Sequence, residues 1–202
     1  MICTLLSAAM VAMNLILTLY FQHVLGYSPL ITGLAFLPHG IAAIFAGPLG
    51  GIMANRFGAK AVLVSCISLV LICMALLALI TTHDSYWYHV MPVTVIMSFG
   101  IMPAFVNLIL LATSGTKVED HGLVSGIVNT TGQLGGAIGL SILIAVAASH
   151  TAHILGTTTL SKAEALISGY RMALATGAFS LALALIACIF GLKNRSAVLP
   201  SS

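Results

Sequence analysis

Six long apolar stretches, separated by short polar breaks, constrain this chain more than any other feature of its sequence. Each stretch is close to the roughly 20 residues that a helix needs to cross the hydrocarbon core of a bilayer. Charged residues make up only 5% of the chain and the mean hydropathy is +1.15, whereas a soluble domain carries about 25% charged residues. The composition therefore excludes a soluble globular fold and predicts an integral membrane protein.

The apolar stretches are continuous rather than alternating, which excludes the strands of a membrane barrel. Because lipid offers no hydrogen-bond partners, the backbone of each span must be satisfied within a helix. We predict an all-α membrane protein, with one bundle of six transmembrane helices over residues 1–202 and a tail at 193–202. The predicted spans cover about 2–21, 32–54, 61–81, 90–112, 122–148 and 168–192.

Lysine and arginine are distributed unevenly among the breaks between these spans. Only Lys162 and Arg171 fall on one side of the membrane, whereas the other side carries Arg56, Lys60, Lys117, Lys193 and Arg195. Short loops rich in these cations stay in the cytoplasm. We therefore predict a multi-pass plasma-membrane protein with both termini, and the turn after the second span, in the cytoplasm.

The turn after the second span combines charge with glycine, in the stretch GPLGGIMANRFGAK at 47–60. A topology signal alone would account for the cations but not for the flanking glycines. A tight reversal between two helices favours a glycine in a left-handed conformation, and Gly58 fits that role. The residues that we assign to this loop motif are Gly50, Gly51, Asn55, Arg56, Gly58 and Lys60.

This loop motif resembles the cytoplasmic loop of the major facilitator superfamily, which lies between the second and third spans of a six-helix half. Asn55 stands where the stronger form of the motif has aspartate. Residues 22–51 and 121–145 are also similar to late spans of the fourteen-span drug:proton antiporter family. The resemblance implies the C-terminal half of a major facilitator fold, in a fragment that lacks the N-terminal half of the transporter.

The function that this resemblance implies is export of small hydrophobic or cationic substrates, with a proton as the coupling ion. The implied partners are the lipid bilayer and the N-terminal half. No Asp, Glu, Lys or Arg falls at the centre of a predicted span, so we expect the coupling carboxylate in that other half, with His39 as a weaker candidate. Two alternatives stay open: a half-transporter remnant that does not transport, and an uptake carrier of another small solute.

Enzymatic chemistry and metal binding find little support in these residues. An intramembrane protease or lipid-modifying enzyme needs a Ser/His or paired acidic constellation at membrane depth, and the predicted spans offer none. The four cysteines lie in apolar spans without metal-ligand or disulfide spacing. His150 and His153 could form half a metal site, but no third ligand follows at a fixed spacing. We predict no enzyme activity, cofactor, metal site or nucleic-acid partner.

Glycine stripes mark the second and fifth spans as helices that pack closely. Small residues let two backbones approach, which is a main source of packing energy in lipid. GPLGG at 47–51 and GQLGG at 132–136 also echo each other, as corresponding helices of two inverted three-helix repeats would. The glycines that we predict to serve helix packing are Gly33, Gly40, Gly47, Gly126, Gly132 and Gly136.

Four amide side chains fall inside the predicted spans: Asn14, Asn107, Asn129 and Gln133. Amides buried in a membrane need hydrogen-bond partners and often mark a pathway. We therefore predict that these four residues line the substrate pathway. The alternative for each is a hydrogen bond or a packing contact with a neighbouring helix.

Overall fold

The computed structural model describes residues 1–81, 86–114, 116–157 and 162–191, and these residues form helices and short connections without any strand. A π-helix at Tyr86–Val90 leads into α5, and a 3₁₀ turn at Val118–Asp120 leads into α6. The α-helices of this described part are α1 Ile2–His23, α2 Pro29–Ala35, α3 Leu37–Phe57, α4 Ala59–Leu77, α5 Met91–Thr113, α6 His121–Thr157 and α7 Lys162–Gly191.

Within the described residues, six helical segments are long and apolar enough to cross a membrane, with α2 and α3 counted as one segment over Pro29–Phe57. This result confirms the predicted class, an all-α membrane protein with six spanning helices. The break between α2 and α3 falls at Phe36, just before Pro38. Proline is tolerated in the first turn of a helix because the amide it lacks would have no partner there.

The helix ends differ from the predicted spans. The fifth span was predicted at 122–148, whereas α6 has 37 residues, a length of about 55 Å at helical rise. That exceeds the roughly 30 Å of a bilayer core, so α6 continues as a helix beyond the apolar stretch that marks its span. The predicted tail at 193–202 lies outside the described residues.

The helices pack in a pattern that is symmetric between the first three and the last three spans. α1 packs against α6 and α7, and in the corresponding way α5 packs against α3 and α4. Contacts between α4 and α7 join the group of α1, α6 and α7 to the group of α3, α4 and α5. Exchanging each helix for its counterpart reproduces the same set of contacts, as two inverted repeats would.

The glycines of the two echoing stretches occupy equivalent places in this pattern. A Cβ on Gly50 of α3 would lie 2.8 Å from Cα of Pro103 in α5. A Cβ on Gly135 of α6 would lie 2.5 Å from Cα of Thr4 in α1. Both distances are shorter than any real carbon contact, so glycine permits two close backbone approaches that larger residues would prevent.

Candidate functional site

A cavity of about 250 Å³ lies between α1, α5 and α6. Two of the four predicted pathway amides, Asn129 and Gln133, line it, and their spacing of four residues places them on one face of α6. The remaining lining residues are Cys3, Ser7, Met10, Val11, Phe105, Ile109, Ser125, Val128 and Gly132.

The chemistry of this cavity is neutral and amphipathic. Its lining contains two amides and two hydroxyls, Ser7 and Ser125, among apolar and sulfur-containing side chains, but no carboxylate or cation. The thiol of Cys3 is already engaged, since it donates to the carbonyl of Val128 at 3.3 Å. The amides are the strongest hydrogen-bonding groups left to face a ligand, because each offers two donors and an acceptor.

Asn14 lies on the same helix as the cavity wall but not among its lining residues. Its Nδ2 donates to the carbonyl of Met10 at 3.0 Å, and the hydroxyl of Thr18 donates to the carbonyl of Asn14 at 2.8 Å. Positions 7, 10 and 14 share one side of α1. Asn14 therefore continues the polar side of the helix beyond the cavity, and its contact with substrate stays a prediction.

Asn107 is fully buried between α3 and α5. Its Nδ2 donates to the carbonyl of Gly50 at 3.1 Å and to that of Pro103 at 2.8 Å, whereas Oδ1 is buried without a partner among the described residues. The geometry corresponds to the alternative stated above, a hydrogen bond between helices. A role in the pathway stays a prediction for Asn107, and it would require the α3–α5 contact to open.

The predicted packing glycines fall into two groups. Gly132 and Gly136 face α1, where a Cβ on Gly132 would lie 3.1 Å from Sγ of Cys3 and one on Gly136 would lie 3.0 Å from Cγ2 of Val11. Apart from the backbone of their own helix, the other four have no heavy atom of the described chain within 4 Å of a Cβ position: Gly33, Gly40, Gly47 and Gly126. For those four, helix packing stays a prediction that needs a partner outside the described residues.

The loop motif joins α3 to α4 through a single residue. Gly58 has φ of 85° and ψ of 140°, a backbone conformation that favours glycine. Its amide donates to the carbonyl of Ala54 at 2.8 Å and ends α3. Asn55 and Arg56 are exposed, and the guanidinium of Arg56 lies 5.6 Å from the ring centroid of Phe57. Gly50 and Gly51 lie two turns earlier in α3.

Lys60, the last residue of the motif, has a contact that the sequence analysis missed. Its Nζ donates to the carbonyl of Ile189 at 3.0 Å, in the last turn of α7. At the opposite end of the same helix pair, Nε of Arg171 in α7 donates to the carbonyl of Ala78 at 3.0 Å, where α4 ends. A cation from each helix thus caps the C-terminus of the other, where carbonyls lack intrahelical donors. No local pattern could reveal these long-range contacts.

Known proteins show the family to which this arrangement belongs. Residues 1–140 match the family model of the Major Facilitator Superfamily. The chain belongs to the major facilitator superfamily. This match confirms the resemblance drawn from the loop motif and its flanking spans. It also confirms the prediction of a multi-pass membrane protein, in a family whose members are transporters rather than enzymes.

Among named members of the superfamily, the chain is 30% identical over 167 residues to the puromycin resistance protein pur8 of Streptomyces alboniger, a match that covers 80% of this chain and 33% of that protein. It is 32% identical over 146 residues to the cephamycin export protein CmcT of Amycolatopsis lactamdurans, which covers 72% and 30%. It is 31% identical over 153 residues to the multidrug resistance protein Stp of Mycobacterium tuberculosis, which covers 73% and 27%. The chain spans about a third of the length of these curated relatives.

Proposed function

We propose that this chain forms the C-terminal half of a drug efflux transporter of the plasma membrane. The observation that carries the proposal is the cavity between α1, α5 and α6, with Asn129 and Gln133 on its wall. Amides in an otherwise apolar cavity suit small amphipathic compounds, which bring apolar surface together with a few hydrogen-bonding groups. The names of the relatives favour export: they describe puromycin resistance, cephamycin export and multidrug resistance.

The second half of the transporter would dock on α3 and α6. We compare the buried share of the most apolar stretch in each spanning segment. It is 17% for the two segments that contain α3 and α6, against 33–50% for the other four. Gly33 of α2, Gly40 and Gly47 of α3 and Gly126 of α6 lie on this uncovered surface with open space above them. Such glycines allow close approach of another helix, and a half docked against α6 would lie beside the cavity that α6 helps to line.

The orientation follows from the distribution of charge, and the coupling ion from the resemblance to drug:proton antiporters. Arg56 and Lys60 at the turn between α3 and α4 would face the cytoplasm, with both termini on the same side. Cations near the anionic inner leaflet gain about 1 kcal/mol each. A proton would be the coupling ion and, because the centres of the predicted spans hold no carboxylate, the acidic proton carrier would lie in the other half.

The test compares three variants of the complete transporter in cells that are challenged with a panel of drugs. Asn129→Ala and Gln133→Leu each remove a hydrogen-bonding group from the cavity, and loss of about 1 kcal/mol lowers affinity about fivefold. We expect resistance to fall for some drugs and not for others. Ser141→Ala is the matched control, since that hydroxyl bonds within α6 to Ala137 and does not line the cavity. An unchanged drug profile in both amide variants, at equal expression, would refute the proposed site.

A non-transporting remnant is the second candidate, and the short coverage of the relatives favours it for the chain by itself. The distinguishing experiment expresses the chain alone and together with the N-terminal half of a relative, and measures drug accumulation. Accumulation equal to that of the empty vector in both cases would support the remnant. Lower accumulation only on co-expression would support a half that needs its partner.

A further inference from the structure

A histidine lies in the contact between α3 and α5, among residues that do not line the cavity. His39 is in the first turn of α3, and its Nδ1 is 3.0 Å from the carbonyl oxygen of Thr94 and 2.7 Å from Oγ of Ser98. Ser98 is fully buried and Thr94 is 5% exposed, whereas His39 is only partly buried. The ring therefore connects a buried polar pair on α5 to the more accessible surface of α3.

The hydrogen-bond partners determine where the ring carries its proton. We assign a proton to Nδ1, because the carbonyl of Thr94 at 3.0 Å can only accept. The hydroxyl of Ser98 has acceptors for its own hydrogen in the carbonyls of His39 at 3.0 Å and Thr94 at 3.2 Å, which leaves its oxygen able to receive the same Nδ1–H. Nε2 is then the ring atom that can gain or lose a proton.

Other titratable groups on the packed elements are few. Of the helices that pack against α3, α2 and α5 contain no titratable side chain. Within the described residues, the other titratable side chains on α3 and on the neighbouring helices are these: Arg56 in the last turn of α3, Lys60, Cys66 and Cys73 on α4, and Tyr86, Tyr88 and His89 on the π-helix. Lys60 is bonded to the end of α7 and the two thiols are buried. Histidine is the residue type of this set whose charge commonly changes between pH 5 and 8.

We propose that His39 is a proton-binding site whose protonated form latches the first turn of α3 onto α5. Water at the accessible side of the ring supplies the proton to Nε2, and the cationic ring then donates from Nδ1 to Thr94 in a charge-assisted bond, roughly twice as strong as a neutral one. Release of the proton from Nε2 leaves a neutral ring that still donates from Nδ1 to Thr94, in a bond without charge assistance. The contact is then weaker, and the first turn of α3 loosens.

The position of the latch suits a small movement of α3. The helix is already interrupted at Phe36, three residues before His39. Farther along, Asn107 ties α3 to α5 through Gly50. The first turn of α3 can therefore loosen while the contact around Gly50 is kept. The proton site stands on this geometry, and only its use in transport would rest on the proposed function.

The experiment measures backbone hydrogen exchange of the segment 37–46 by mass spectrometry, in the full-length protein in lipid nanodiscs. Rates at pH 5.5 and pH 8 are corrected for intrinsic exchange. We expect this segment to exchange about fivefold more slowly at pH 5.5, which corresponds to about 1 kcal/mol. His39→Asn places an amide nitrogen near the position of Nδ1, which can donate to Thr94 but cannot titrate, so its protection should be equal at both pH values. His39→Leu cannot donate and should exchange rapidly at both.

The matched control is His153→Asn, which removes an exposed histidine of α6 and should keep the pH response of the wild type. A wild-type segment with equal protection at both pH values would overturn the proposal, and so would a pH response that persists in His39→Asn. A ¹⁵N spectrum of histidine-labelled protein that shows the His39 ring with its hydrogen on Nε2 alone at pH 5.5 would also overturn it. None of these readouts measures drug export, so their failure would leave the proposed function standing.

Discussion

Substitution of Gly135 by alanine tests the close contact between α1 and α6, on which the cavity wall depends. The new Cβ would lie 2.5 Å from Cα and 2.6 Å from the carbonyl oxygen of Thr4. These are backbone atoms, so no side-chain rotation can relieve the overlap and α1 must move as a whole. Overpacking costs about 1–3 kcal/mol, and we expect the upper end of that range here.

Gly126→Ala on the same helix is the matched control, because a Cβ on Gly126 meets nothing within 4 Å in the described chain. Both substitutions gain the same intrinsic helix propensity, about 1 kcal/mol. That gain cancels when the two variants are compared, and the difference in their free energies of unfolding, about 3 kcal/mol, isolates the overpacking.

The assay is unfolding of the purified chain by a denaturing detergent, followed by circular dichroism. We expect Gly135→Ala to unfold at a lower detergent fraction than the wild type and Gly126→Ala to unfold at the same fraction or a higher one. Equal stability of the two variants would refute the argument from backbone contact. Repeating Gly126→Ala in the complete transporter extends the test, since a loss of stability found only there would locate the second half on that face of α6.

Two further predictions concern hydrogen bonds that join distant parts of the chain. Lys60→Met removes the donor to Ile189, which lowers the free energy of opening the last turn of α7 by about 0.3–1 kcal/mol. The amide hydrogens of that turn should therefore exchange faster. Arg56→Met is the control, and equal exchange in both variants would exclude the cap. Asn107→Leu should lower the free energy of unfolding by about 0.6–1.7 kcal/mol, whereas Asn107→Asp should cost more, because an ionised carboxylate within a span costs about 2.5–3.5 kcal/mol. Equal unfolding free energies for the two Asn107 variants would contradict its burial.

Sequence reasoning located the site only in part, and the amides show why. Asn107 and Asn129 are the same residue type and both fall inside predicted spans, yet Asn107 is fully buried against α3 while Asn129 lines the cavity. Which side of a helix faces a neighbour depends on how all the helices pack, and local spacing does not contain that information. The packing glycines divide in the same way: Gly132 faces α1 and Gly126 faces open space.

The sequence by itself determined that the chain folds in a lipid bilayer, that it is helical, to which family it belongs and that a tight turn lies at Gly58. Each of these follows from local quantities: the hydropathy of about 20 consecutive residues, or the spacing of a short motif. The tertiary structure decided that Lys60 caps α7, that Asn107 joins α3 to α5 and that His39 meets Thr94 and Ser98. Those contacts join residues 55 to 129 positions apart in the chain, because atoms separated along a polypeptide become neighbours only when its helices pack.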